Sequence, residues 1–273
     1  MKHRPIIDAH VHVFPDALAP RAIANMERTA GLKLASNGTT ASLQGSMRQA
    51  GITHAMALPV STAPHQAASI NSLALNMRQA GIIPYGSLHP SSNNYIQEIQ
   101  RLKAGGIRGV KMHPDHQSFD IDAEALEPLY TALAAAGVML VEHAGRNINL
   151  TAPARCTPLR LARVIKKFGE LKIVAAHLGG WQHWDEVERY LVGLPFWMDT
   201  SFIWGYCAPR QIRRIIRRHG SQRILFGSDS PWMDQAQALA ALRNLELRPA
   251  EEQRILWDNA AQLLNLTDAM PRS

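Results

Sequence analysis

The chain has 273 residues, is 46% hydrophobic and carries a net charge of +7, enough apolar material for one sizeable core in a single domain spanning 1–273. Its two cysteines, Cys156 and Cys207, exclude a disulfide framework and fit a reducing cytosol. No apolar h-region follows the basic N-terminus, and the longest apolar stretch, 133–141, is broken by Gly137; a signal peptide and a membrane span are therefore not expected, and a cytoplasmic location is.

The first apolar segment, 6–12, reads as a buried strand and carries His10 and His12. Side chains two apart on a strand share a face, so both imidazoles address one point, as two ligands of one metal ion must. The segment 15–40 reads as irregular and sits in the loop after this strand, where it can cap a site. Further strands are predicted at 53–59, 82–88, 107–113, 138–143, 172–177, 196–201 and 223–227, which makes eight. Amphipathic stretches separate most of them. The stretch 124–136 spaces Leu126, Leu129, Tyr130 and Leu133 as one helical face. Residues 157–168 open on Thr157-Pro158, a cap followed by a first-turn proline. Gly51, Gly81 and Gly137 each stand between an apparent helix and an apolar strand, where a left-handed helix end is expected. Near the end, Arg213, Arg214, Arg217, Arg218 and His219 lie opposite Ile212, Ile215 and Ile216. That pattern reads as a solvated outer face. A nucleic-acid surface would add a binding motif or interleaved aromatics, and neither is present.

Eight βα units with no repeat array or long linker predict an α/β fold, a single (β/α)8 TIM barrel. In such a barrel, active sites lie at the C-terminal ends of the strands. The polar residues obey this: His10 and His12 end the first strand, and His89 follows the third. Lys111 and His113 end the fourth, His143 the fifth, His177 the sixth, Asp199 the seventh and Asp229 the eighth. Imidazole and carboxylate donors together suit zinc, manganese or iron, with zinc the default. Trp181, Trp204 and Trp232 follow strands six, seven and eight; they either wall a pocket for a flat or apolar substrate or pack the loops. His113 shares its strand parity with Lys111 and either faces the mouth, beside substrate, or packs a helix. His3, His54, His65, His116, His183 and His219 carry no motif and read as surface or packing residues.

Four motifs resemble the amidohydrolase superfamily: His10-Val11-His12, Val141-Glu142-His143-Ala144-Gly145, Ala176-His177-Leu178-Gly179-Gly180 and Phe226-Gly227-Ser228-Asp229-Ser230-Pro231. They are similar more narrowly to its amidohydrolase-related branch of decarboxylases, lactonases and hydrolases, and Asp258-Asn259-Ala260-Ala261-Gln262-Leu263-Leu264 is similar to that branch's C-terminal helix. The resemblance implies a (β/α)8 barrel and a catalytic divalent metal. It matches His10, His12, His143 and Asp229 to the ligands of one ion. It matches His177 to a histidine that is catalytic in one-metal members and a ligand in two-metal members. Lys111 stands where two-metal members carry a carboxylated lysine, so Lys111 and His177 are the positions a second ion would use. Lys111 reads more readily as a substrate-anchoring or structural cation.

The chemistry expected of this set is hydrolysis of a small amide, lactone or ester by metal-activated water, with Asp229 moving protons and His177 assisting. Decarboxylation of an unsaturated or aromatic carboxylic acid uses the same ligands and is the alternative. A non-enzymatic metal or nucleic-acid binder is the third reading. The open coordination position argues against it, because structural metal sites are closed by protein ligands. The expected partner is a small-molecule substrate, with no nucleic acid and no membrane; the residues do not decide between a monomer and a homo-oligomer.

Overall fold

The computed structural model describes residues 4–77, 79–148 and 152–266; His3 lies outside them. Nine strand segments form the barrel. They are β1 (Ile7–Val11), β2 (His54–Ala57), β3 (Ile82–Pro84), β4 (Gly86–Ser87), β5 (Gly109–Met112), β6 (Met139–Glu142), β7 (Ile173–Ala175), β8 (Trp197–Asp199) and β9 (Ile224–Leu225). All pair in parallel, β1-β2-β3 in one run and β4 through β9 in the other. Backbone bonds join the runs into a closed barrel. Ala9 N donates to Phe226 O, Asp229 N to His10 O and His12 N to Ser230 O across the β9–β1 seam.

The third predicted strand is divided at Tyr85. Its N–H turns back to Ala57 O on β2, while Gly86 and Ser87 pair with β5. The Tyr85 ring fills the barrel interior against Met139, and Gly109 makes room for it: a Cβ there would lie 2.3 Å from Tyr85 Cε1.

Alternation along the strands sorts side chains between two cores. Ile7, Ala9, Met56, Leu58, Met139, Val141, Val174 and Leu225 pack inside the barrel. Val11, Val110, Met112, Leu140 and Ile173 pack outward under the helices. The interior core is closed at one end by the C-terminal helix through Ala260, Ala261 and Leu264. Asn259 fastens that helix by donating to Ser221 O and Ile224 O, both at 2.7 Å.

Three readings of the helices need correction. The segment 15–40 is not irregular: Ala19–Ala30 is a helix, with proline in its first turn and Gly31 in the left-handed conformation at its end. The helix before β3 stops at Asn76, so Gly81 (φ 78°) belongs to the following turn and does not cap it. His219 closes the helix Pro209–His219 but is buried, away from the arginine face. The rest of that helix is as expected, with Ile212, Ile215 and Ile216 buried while Arg214 and Arg218 pair with Glu188. No helix among the described residues is long and apolar enough to cross a membrane.

Candidate metal centre and cavity

The strand ends open into a cavity of about 460 Å³. It is lined by His10, His12, Lys111, His113, His143, His177, Asp229 and Trp232, so the candidate residues that follow strands one, four, five, six and eight converge on one space. Trp181 also lines it, whereas Trp204 lines a neighbouring groove. His89 and Asp199 do not line it. His116, which carries no motif, does.

A register shift lies between Asp8 and Val11 of β1. Ile7 and Ala9 point into the barrel core, and after the shift His10 and His12 point into the cavity. A bulge of this kind re-aims side chains beside a site. The two histidines share a face as their spacing requires, but that face is set by the bulge.

His10 Nδ1 lies 2.8 Å from Asp199 Oδ2, and His12 Nδ1 lies 2.7 Å from Leu58 O. Both partners can only accept, so the neutral rings carry their protons on Nδ1 and leave Nε2 bare. The bare atoms face one carboxylate oxygen: Asp229 Oδ1 is 3.4 Å from His10 Nε2 and 3.1 Å from His12 Nε2. That oxygen is buried and receives no hydrogen bond. Three acceptors meeting without a proton between them would be costly on their own. A divalent cation satisfies all three, so these residues fit a metal.

Electrostatics agree. Burial, then nearby Lys111, lowers the His10 pKa to about 4, which keeps its nitrogen unprotonated at neutral pH. Burial pushes the Asp229 carboxyl up, but His10, His12 and His177 outweigh it and hold the group well below the carboxylate range. Asp199 follows the same pattern, with His10 overcoming its burial. Its Oδ1 also accepts from Ser201 N, Ser201 Oγ and His177 N.

His143 stands apart from this trio. The donor atoms of His10, His12 and Asp229 lie within 4.8 Å of one another, and His143 groups instead with His113 and Asp115. Its ring stacks on His113 at 3.9 Å. His143 Nε2 lies 3.1 Å from Arg146 O, and its Nδ1 meets His177 Nε2 at 3.0 Å. His177 Nδ1 is itself directed at Ser201 O, 2.9 Å away. The two carbonyls claim both rings' neutral protons, so Nδ1 of His143 and Nε2 of His177 face each other as acceptors. His177 lies between the trio and His143, its ring 5.4 Å from that of His10.

Lys111 faces the cavity one strand step below His113. It is 1% exposed, and its Nζ has no hydrogen-bond partner. Burial lowers its pKa against the pull of Asp199, Asp229 and Glu142. His113 lines the cavity, and its side chain also caps the short helix Pro114–Gln117.

Among comparisons with known proteins, no curated protein matches significantly. Solved structures do. An uncharacterised TIM-barrel protein from Bordetella bronchiseptica is 18% identical, with a TM-score of 0.76 over 97% of this chain and 100% of that one. A 5-carboxyvanillate decarboxylase from Sphingomonas paucimobilis is 16% identical, with a TM-score of 0.72 over 96% and 99%. A candidate 2-pyrone-4,6-dicarboxylic acid hydrolase from Pseudomonas putida is 18% identical, with a TM-score of 0.69 over 96% and 98%. These likenesses show the barrel. The family model named Amidohydrolase matches residues 7–266, nearly the whole chain, and the chain belongs to that family.

Proposed function

We propose that the chain is a metal-dependent enzyme that hydrolyses a small amide, lactone or ester. His10, His12 and Asp229 hold one divalent ion, and His143, which the motif matches to the same ion, is the fourth candidate ligand. The observation that carries this reading is the meeting of two bare Nε2 atoms with an unsatisfied Asp229 oxygen. Imidazole and carboxylate donors suit zinc, and manganese, bound in a dihydroxybenzoic acid decarboxylase from Polaromonas, is the alternative.

When bound, such an ion supplies acidified water, lowering its pKa from 15.7 to about 7. Asp229, ionised and buried, accepts a proton at its carboxylate and passes it to the leaving group. Asp199 and Leu58 O fix the two histidine rings through Nδ1, so that their Nε2 atoms do not wander. His177, fixed in turn by Ser201, presents Nε2 for proton exchange with substrate. Phe14, Trp181, Phe202 and Trp232 line the cavity with apolar surface that excludes water.

A second reading is a metal-dependent carboxy-lyase, in which His177 Nε2 takes a proton from solvent and delivers it to the carbon that loses CO2. The aromatic lining, which suits an unsaturated acid, favours it. One screen separates the two. Metal-loaded protein is incubated with lactones, amides, esters and unsaturated acids, and product mass and CO2 are followed together. Gain of water marks hydrolysis and release of CO2 marks the lyase. Turnover that survives complete removal of the metal would overturn both.

A further inference from the structure

We propose that Lys111 is the floor anchor for a carboxylate of the substrate. This rests on reading the cavity as the active site. The first observation is an unanswered polar group: Lys111 is 1% exposed, lines the cavity, and its Nζ reaches no acceptor among the described residues. A buried amino group without a partner is expensive, and one that meets an anion there is held as the ammonium, so a group that answers it belongs there.

The second observation is that no nearby carboxylate is that partner. None comes within 4.0 Å of Nζ among the described residues. Asp199 is occupied by His10, Ser201 and His177 N. Asp229 faces His10 and His12. Glu142 is one residue past Val141, the register partner of Lys111, and so lies on the opposite face of the sheet. Its pKa is raised to about 8 by burial.

The third observation is the charge balance of the cavity wall. Among the described residues Asp229 is the one carboxylate lining it, and that is committed to the histidines; Lys111 lies at its floor and Arg146 at its exposed rim. Arg146 makes no ion pair among the described residues. Phe14, Trp181, Phe202 and Trp232 supply flat apolar surface between. A planar acid fits this arrangement, its carboxylate on Lys111 Nζ and its ring on the aromatic wall. A second acidic group would reach Arg146.

The test is binding by calorimetry to metal-loaded protein, with benzoate, benzene-1,3-dicarboxylate and neutral benzamide as probes. Wild-type protein should prefer benzoate to benzamide. In Lys111→Met, benzoate should weaken about ten- to a hundredfold, the scale of a buried hydrogen bond to a charged group, while benzamide is unchanged. Lys111→Arg should restore part of the preference. Arg146→Ala should weaken the dicarboxylate alone. Absence of benzoate preference in wild-type protein would overturn the proposal without any variant. So would benzoate binding that is equal in wild-type protein and Lys111→Met, since the carboxylate would then be held elsewhere. Loss of a second metal ion from Lys111→Met would make the lysine a ligand and overturn it too. If the charge preference appears but no screened compound turns over, the anchor stands and the proposed enzymatic reading fails.

Discussion

Asp199 Oδ2 accepts from His10 Nδ1 at 2.8 Å, and both side chains are buried. The same carboxylate reaches His177 through its backbone N–H and through Ser201. One carboxylate therefore orients both a proposed metal ligand and the proposed proton-transfer histidine. Partners of this kind fix the tautomer and are worth about 10–100-fold in metal affinity or activity. Asp199→Asn should cost that much, measured by chelator competition and by turnover. An unchanged affinity and an unchanged rate would remove Asp199 from the site.

Metal content follows from the trio. Protein purified without chelator should carry about one divalent ion per chain, as one such ligand set implies. Elemental analysis checks this. Asp229→Asn and His12→Asn should each lose the ion. Two ions per chain, with a carbamate on Lys111, would require the two-metal arrangement.

The barrel was legible because eight strands of buried residues alternate with amphipathic helices, and because His10, His12, His143, His177 and Asp229 recur at strand ends. What was not legible depends on backbone geometry. The bulge in β1 sets which face His10 and His12 share, and no residue type announces it. His177, Leu178 and Asp229 adopt positive φ although none is glycine. Such conformations cost about 1–2 kcal/mol each and collect at functional sites. Gly145 is another case: a Cβ there would lie 2.1 Å from Trp181 N, which is how two loops of the site come to touch. His116 carries no motif, and its place in the cavity wall comes from the short helix Pro114–Gln117 and from Asn147 Nδ2, 3.1 Å from its Nε2. The Ala19–Ala30 helix did carry a signal, Pro20 near its start and Gly31 at its end.

A pH-dependent contribution to stability should come from His219. Its Nε2–H donates to Phe196 O at 3.0 Å, while its Nδ1 accepts from Gly193 N at 3.3 Å. Protonation would set an N–H against an N–H. Burial leads the fall of its pKa from 6.5 to about 4. As pH falls below 6.5 the unfolded chain takes up this proton and the folded chain does not. The contribution is therefore full above 6.5 and is lost as pH falls towards 4, by roughly 3 kcal/mol in all. Denaturant unfolding of wild-type protein and His219→Asn across pH 4–7 isolates it by difference. Parallel curves would show that His219 does not titrate with folding.

Chemistry and metal retention should separate at His177. His177 Nε2 faces His143 Nδ1 at 3.0 Å, and its ring lies 5.4 Å from that of His10, so it borders the metal ligands without joining the trio. His177→Asn should keep most of the metal yet lose turnover by about a hundred- to ten-thousandfold, the scale of one positioned acid–base group. His12→Asn should lose metal and turnover together, because its Nε2 faces the shared Asp229 oxygen. The pair of measurements is needed because either loss of rate alone has two causes. An unchanged rate in His177→Asn would end its catalytic assignment. Release of a measured ion from His177→Asn would instead make the paired nitrogens of His143 and His177 a binding position, and the two-metal hydrolytic route would follow.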